Sequence, residues 1–164
     1  MEQARFAGMV QFRSPEELSS SEASMVEDEP FLDMADAGDL QDKPVVLVVE
    51  DELLVRILQV DILREAGFRV AEAQDADEAF EMLRRRVDVR VVLTDVDMPG
   101  SLNGFEFARL VKQGWPELQV LVISGKTAPG PGDLPQGVAF VAKPIRPATL
   151  VRLIGELTSA ADQI

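Results

Sequence analysis

The stretch Val91-Val92-Leu93-Thr94-Asp95-Val96-Asp97-Met98-Pro99-Gly100 decides how this chain folds. Val91, Val92 and Leu93 are β-branched or aliphatic and suit a strand buried on both faces. Pro99-Gly100 cannot continue that strand, so Asp95 falls at its C-terminal end. In an open parallel α/β sheet, that end is where ligands bind.

On either side, short apolar runs alternate with amphipathic segments. Val45 to Val49 is a continuous apolar run that stops at Glu50-Asp51. Glu52 to Ala66 reads as a helix with Val55, Leu58 and Ile62 at helical spacing and Gly67 beyond its end. Arg69 to Ala73 is a second short strand. Asp75 and Glu78 resemble a capping box opening a helix through Ala79, Phe80, Met82 and Leu83 to about Arg86. Val89 to Thr94 is the third strand. Asn103 caps a helix from near Gly104, with Phe105, Ala108, Leu110 and Val111 as its apolar surface, ended by Gly114-Trp115-Pro116. Val120 to Ile123 is a fourth strand ending at Ser124. Val138 to Ala142 is a fifth, ending at Lys143-Pro144. Pro147 opens a last helix through Leu150, Val151, Leu153, Ile154 and Leu157. Five strands alternating with helices predict a doubly wound parallel α/β sheet covered on both faces.

Composition removes many chemistries. The chain has neither cysteine nor histidine, which excludes disulfides, thiolate or imidazole metal sites, and Ser-His or Cys-His catalysis. A net charge of −13 argues against direct nucleic-acid binding and against an anionic membrane surface. No apolar run approaches the ~20 residues of a membrane span, and the acidic N-terminus is no secretory signal. A cytoplasmic protein is expected. Residues 1–43 hold eleven acids against three bases, with Pro15, Pro30 and the run Ser19-Ser20-Ser21. They read as an acidic, disordered extension, and Phe31, Leu32, Met34 and Leu40 as an alternative partner motif within it. The folded domain is expected over 44–160, with 161–164 as a tail.

The strand ends are the informative positions. They bring Glu50-Asp51, Asp95, Ser124 and Lys143 to one edge of a parallel sheet. Taken singly, each has an ordinary reading: helix-start acids, a turn aspartate, a loop hydroxyl, a solvated lysine. Taken together, they predict a site. Three crowded carboxylates call for a divalent cation, and Mg²⁺ suits a few carboxylates with phosphate and water oxygens. A carboxylate can act as a nucleophile toward phosphorus. A metal, an ammonium and a hydroxyl are the groups that neutralise the transferred oxygens.

These motifs resemble the receiver domain of bacterial two-component response regulators. The resemblance rests on Val46-Leu47-Val48-Val49-Glu50-Asp51-Glu52, Leu93-Thr94-Asp95-Val96-Asp97-Met98-Pro99-Gly100, Val122-Ile123-Ser124-Gly125 and Phe140-Val141-Ala142-Lys143-Pro144. It implies a flavodoxin-like (βα)₅ fold with Asp95 as phosphoacceptor. It implies Mg²⁺ held by Glu50, Asp51, Asp95 and the Asp97 backbone carbonyl. Ser124 would be the switch hydroxyl, Lys143 the phosphoryl partner, Phe140 the switch aromatic, and Lys143-Pro144 a cis peptide. The implied donor is a sensor histidine kinase or histidine phosphotransfer protein, and the implied output is altered affinity for a downstream protein. Such a protein is a phosphoacceptor rather than a turnover enzyme.

Two departures qualify the resemblance. Gly125 to Gln136 carries three prolines and three glycines where the family has its fourth helix, so a loop is expected. Only 21 residues follow Lys143, enough for one helix, so a stand-alone receiver is expected. Asp95-Val96-Asp97 also resembles the nucleophile strand of haloacid-dehalogenase-type phosphatases, where the second aspartate is acid and base. That family places its metal-binding acids after the lysine. Here the acid pair precedes Asp95, which favours the receiver. An adaptor that works without phosphorylation is the third reading, and the complete acid, hydroxyl and lysine set argues against it.

Overall fold

The computed structural model describes residues 43–98, 100 and 102–161. The acidic extension and its apolar motif, Pro99 and the residues 162–164 lie outside the described residues. Lys43 and Ala161, which the sequence assigns to the two tails, are described. The Lys43 carbonyl accepts from Arg69 Nη1 (2.8 Å), and Ala161 is the last residue of the final helix.

Five strands form one parallel sheet: β1 (Val45–Val49), β2 (Arg69–Ala73), β3 (Val89–Asp95), β4 (Gln119–Ser124) and β5 (Val138–Ala142). Their order is β2-β1-β3-β4-β5. Among the described residues, three helices connect strands, α1 (Leu53–Glu65), α2 (Ala76–Arg85) and α3 (Gly104–Gly114), and a fourth, α4 (Pro147–Ala161), follows β5. Because side chains alternate along a strand, β1 feeds two cores. Val45, Leu47 and Val49 meet Ala79 and Leu83 of α2 and Phe107, Ala108 and Val111 of α3. Val46 and Val48 meet Val60 and Leu63 of α1 and Leu150 and Ile154 of α4. The doubly wound architecture expected from the alternation of elements is therefore present. β3 breaks strict alternation at its start, where the register against β1 slips between Val45 and Val46. That slip lets Val89 and Val92 share one core while Val91 and Leu93 share the other.

The caps follow the sequence closely. Asn103 accepts from the amides of Phe105 (2.9 Å) and Glu106 (3.0 Å), and the Glu106 carboxylate returns to the Asn103 amide (3.0 Å). At α2 the Asp75 carboxylate accepts from the Glu78 amide (2.8 Å), but Glu78 reaches back to Gln74 rather than to Asp75 (2.8 Å). Trp115 stacks on Phe80 at the end of α3 (centroids 6.3 Å apart).

On each of two helices one expected apolar residue is exposed. On α1 the buried apolar residues are Val60 and Leu63, while Leu58 is exposed. The helix carries apolar residues on two sides: Ile62 is half-buried against the same core, and Val55, Leu58 and Ile62 line a groove. On α3 the expected Phe105, Ala108 and Val111 are buried together with Phe107, and only Leu110 of the expected set is exposed.

Between β4 and β5 there is no helix, as the prolines and glycines predict. The loop is tied to α3. Arg109 Nη2 donates to the carbonyls of Gly132 (3.3 Å) and Asp133 (3.4 Å), and Leu134 packs onto the α2–α3 core. Gly132 (φ +85°) and Gly137 (φ +82°) make its reversals in the left-handed region.

Candidate functional site

The C-terminal edge of the sheet gathers Glu50, Asp95, Asp97, Ser124 and Lys143. β3 delivers Asp95, which is buried. Its Oδ1 accepts from the Asp97 amide (3.0 Å), and its Oδ2 from Lys143 Nζ. The backbone around it is fixed by hydrogen bonds from the Val96 amide to the Ile123 carbonyl (3.0 Å) and from the Gly104 amide to the Val96 carbonyl (3.0 Å). The buried Thr94 hydroxyl donates to the Asp95 carbonyl (3.1 Å). Lys143 follows β5 and is anchored by its amide on the Ser124 carbonyl (2.8 Å). The Lys143-Pro144 peptide is cis.

Glu50 is only 2 % exposed, a rare position for a carboxylate. Its Oε1 accepts from the Glu52 amide (3.2 Å), and its carbonyl accepts from Arg56 Nη1 (2.7 Å). Oε2 is buried with no hydrogen-bond partner, 3.7 Å from Lys143 Nζ. Burial pushes the Glu50 carboxyl from 4.5 up to about 7, and the Asp95 charge adds to the rise against the opposing Glu52 amide and Lys143. Burial would lower the Lys143 pKa, yet its hydrogen bond to Asp95 and the charges of Asp95 and Glu50 together raise it. Lys143 therefore stands as a cation between two acids.

The other expected residues are placed as follows. Asp51 is exposed beside Glu50. Ser124 is buried, and its hydroxyl donates to the Asp97 carboxylate (3.3 Å). Phe140 is half-buried and tilted against Phe105, with centroids 6.4 Å apart. Three participants were not legible in the sequence. The Asp97 side chain accepts hydrogen bonds, Thr127 supplies one of them (3.2 Å), and Gly104 lets α3 approach the Asp95 backbone. The only sequence signal for Gly104 is a glycine at the first helical position after a strong cap.

Hard oxygen donors and a Glu50 Oε2 without a hydrogen bond fit a small divalent cation. Among the described residues no three acidic side chains stand close enough to enclose one. The set fits a Mg²⁺ that keeps several of its waters, not an all-protein cage.

A sheet of this order with acids and a lysine at one edge has known counterparts. The family model for the response regulator receiver domain matches residues 46–155, and the chain belongs to that family. It is 30 % identical over 119 residues to the two-component response regulator ORR11 of Oryza sativa subsp. indica, spanning 70 % of this chain and 80 % of ORR11. It is 29 % identical to the response regulator receiver protein CpdR of Brucella abortus, spanning 71 % of this chain and 98 % of CpdR. In three dimensions it resembles a response regulator receiver protein from Sinorhizobium medicae, with a TM-score of 0.68 at 24 % identity over 74 % of this chain and 98 % of that one. The protein thus carries a receiver domain of two-component signalling. No helix among the described residues is long and apolar enough to cross a membrane.

Proposed function

We propose that Asp95 accepts a phosphoryl group in a two-component relay. One observation carries this reading: a buried aspartate at a strand's C-terminal end has one oxygen on a backbone amide and the other on Lys143. An Asp95 oxygen attacks the phosphorus of a phosphohistidine in line. The P–O bond forms as the P–N bond breaks, and the electron pair leaves with the donor's imidazole. This chain has no histidine, so the phosphohistidine belongs to another molecule, a histidine kinase or phosphotransfer protein, and the relay we propose is cytoplasmic. Lys143 moves from Asp95 onto the incoming phosphoryl oxygens, and the Ser124 hydroxyl hydrogen-bonds another. Asp51, Asp95 and the Asp97 carbonyl would hold Mg²⁺, with Glu50 beside them. When bound, Mg²⁺ neutralises charge on the carboxylates and the phosphoryl group.

The donor docks beside this edge on α1, where Leu53, Leu54, Ile57 and Leu58 are exposed at the helix start. A groove of ≈ 450 Å³ runs from Val55, Leu58 and Ile62 to Lys143, Pro144 and Ile145. One wall of it is thus the lysine that touches Asp95. An apolar helical surface on the donor fits such a groove. Phosphorylation then shifts a two-state equilibrium through Ser124 and Phe140 and alters affinity for a downstream protein. The test is transfer from a phosphorylated donor protein. The label should leave the donor and reach this chain only with Mg²⁺; transfer undiminished in EDTA would overturn the metal assignment.

A further inference from the structure

Asp97 does more than turn the chain after Asp95. Its side chain points across the edge to the start of the β4–β5 loop. Oδ2 accepts from Ser124 Oγ (3.3 Å), and Oδ1 accepts from Thr127 Oγ1 (3.2 Å). Ser124 Oγ in turn accepts from the amides of Thr127 (2.9 Å) and Lys126 (3.3 Å). One exposed carboxylate therefore closes a network that joins the β3–α3 turn to the first residues of the loop replacing a helix.

A serine hydroxyl has one proton to give. As arranged here, that proton is given to Asp97, so the Ser124 hydroxyl has none to give a phosphoryl oxygen on Asp95. The carboxylate and an incoming phosphoryl group are both anions and compete for the same donor. We propose that Asp97 is a positioning residue, an anionic latch that holds Ser124 and Thr127 until a phosphoryl group on Asp95 displaces it. This rests on the reading of Asp95 as phosphoacceptor. The phosphoryl dianion repels the Asp97 carboxylate and takes the Ser124 hydroxyl. The Thr127 tie then opens, and the loop's first segment is released from the β3–α3 turn. Its middle stays on α3 through Arg109 and Leu134. The signal thereby reaches the loop where a fourth helix is missing.

The test combines amide hydrogen exchange of the full chain with intact-mass phosphorylation by acetyl phosphate and Mg²⁺. Asp97 and Thr127 are both exposed, so Asp97→Ala and Thr127→Val should fold. Without phosphodonor, both variants should exchange amides 126–128 roughly fivefold faster, the protection a single modest hydrogen bond confers. Asp97→Asn keeps one acceptor oxygen and should recover part of that protection. It lacks the charge, so it should still take up phosphoryl several-fold faster than the parent, as Asp97→Ala does. Unchanged loop exchange in both Asp97→Ala and Thr127→Val would overturn the latch, as would phosphoryl uptake no faster in Asp97→Ala. If the parent protein takes no label, the phosphoacceptor reading fails separately, while exchange in the unlabelled variants still reads the latch tie.

Discussion

Gly104 stands against Asp95 so closely that a Cβ there would lie 2.2 Å from the Asp95 carbonyl oxygen and 2.7 Å from Val96 Cα. These are backbone atoms in a turn held by the Gly104 amide on the Val96 carbonyl. Neither side can yield without moving the aspartate. Gly104→Ala should therefore cost at least the ~1–3 kcal/mol typical of overpacking and slow labelling of Asp95. Urea denaturation together with intact mass after acetyl phosphate measures both. A variant within about 0.5 kcal/mol of the parent and labelled at the same rate would show that the contact does not position the site.

Glu50 predicts how stability depends on pH. Its folded pKa of about 7 exceeds the 4.5 of an ordinary glutamate. Between those values the folded chain holds a proton that the unfolded chain has lost. The cost is absent below about pH 4.5, grows as pH rises, and is complete above about pH 7, at up to ~3 kcal/mol. In EDTA, chemical denaturation of Glu50→Gln should show the parent's excess loss of stability between pH 5 and 7.5 removed, leaving the variant the more stable at pH 7.5. Parallel pH profiles for the two proteins would contradict this. If the proposed Mg²⁺ site is right, Mg²⁺ should narrow the gap by stabilising the parent.

Lys143 is the cation between Asp95 and Glu50. Lys143→Met removes it and leaves both buried carboxylates uncompensated. Lys143 is 29 % exposed, so the expected cost is about 1–2 kcal/mol at pH 8, below that of a fully buried pair. The cost should shrink at pH 5.5, where Glu50 can take a proton. Equal destabilisation at both pH values would mean the loss is packing alone.

The exposed start of α1 should matter for transfer and not for folding. Leu54 is 74 % exposed and Leu58 60 %. Leu54→Ser with Leu58→Ser should leave stability within about 1 kcal/mol. Phosphoryl transfer from a histidine kinase or phosphotransfer protein should slow about tenfold, the worth of one apolar interface anchor. Labelling by acetyl phosphate should be unchanged. A parallel drop with both donors would place the effect in the site rather than on a docking face.

The sheet was readable because most of its strands are apolar runs closed by polar residues. β5 begins and ends where the side chains change character, and every strand end expected at the site lies at one edge. The α1 face was not readable. Val55, Leu58 and Ile62 and the pair Val60, Leu63 both have helical spacing, and periodicity cannot say which stripe meets the sheet. Leu110 has core spacing for the same reason, yet it is exposed while Phe107 joins Phe105, Ala108 and Val111 in the core. The Asp97 side chain and Thr127 were missed because their contact spans two turns without a repeating pattern. Gly104 was missed because its role depends on how closely α3 approaches β3 in the folded chain.

The most direct test of the central claim is intact-mass analysis after incubation with acetyl phosphate and Mg²⁺. The account predicts one added phosphoryl group on the parent protein and none on Asp95→Asn. Undiminished labelling of Asp95→Asn would contradict it.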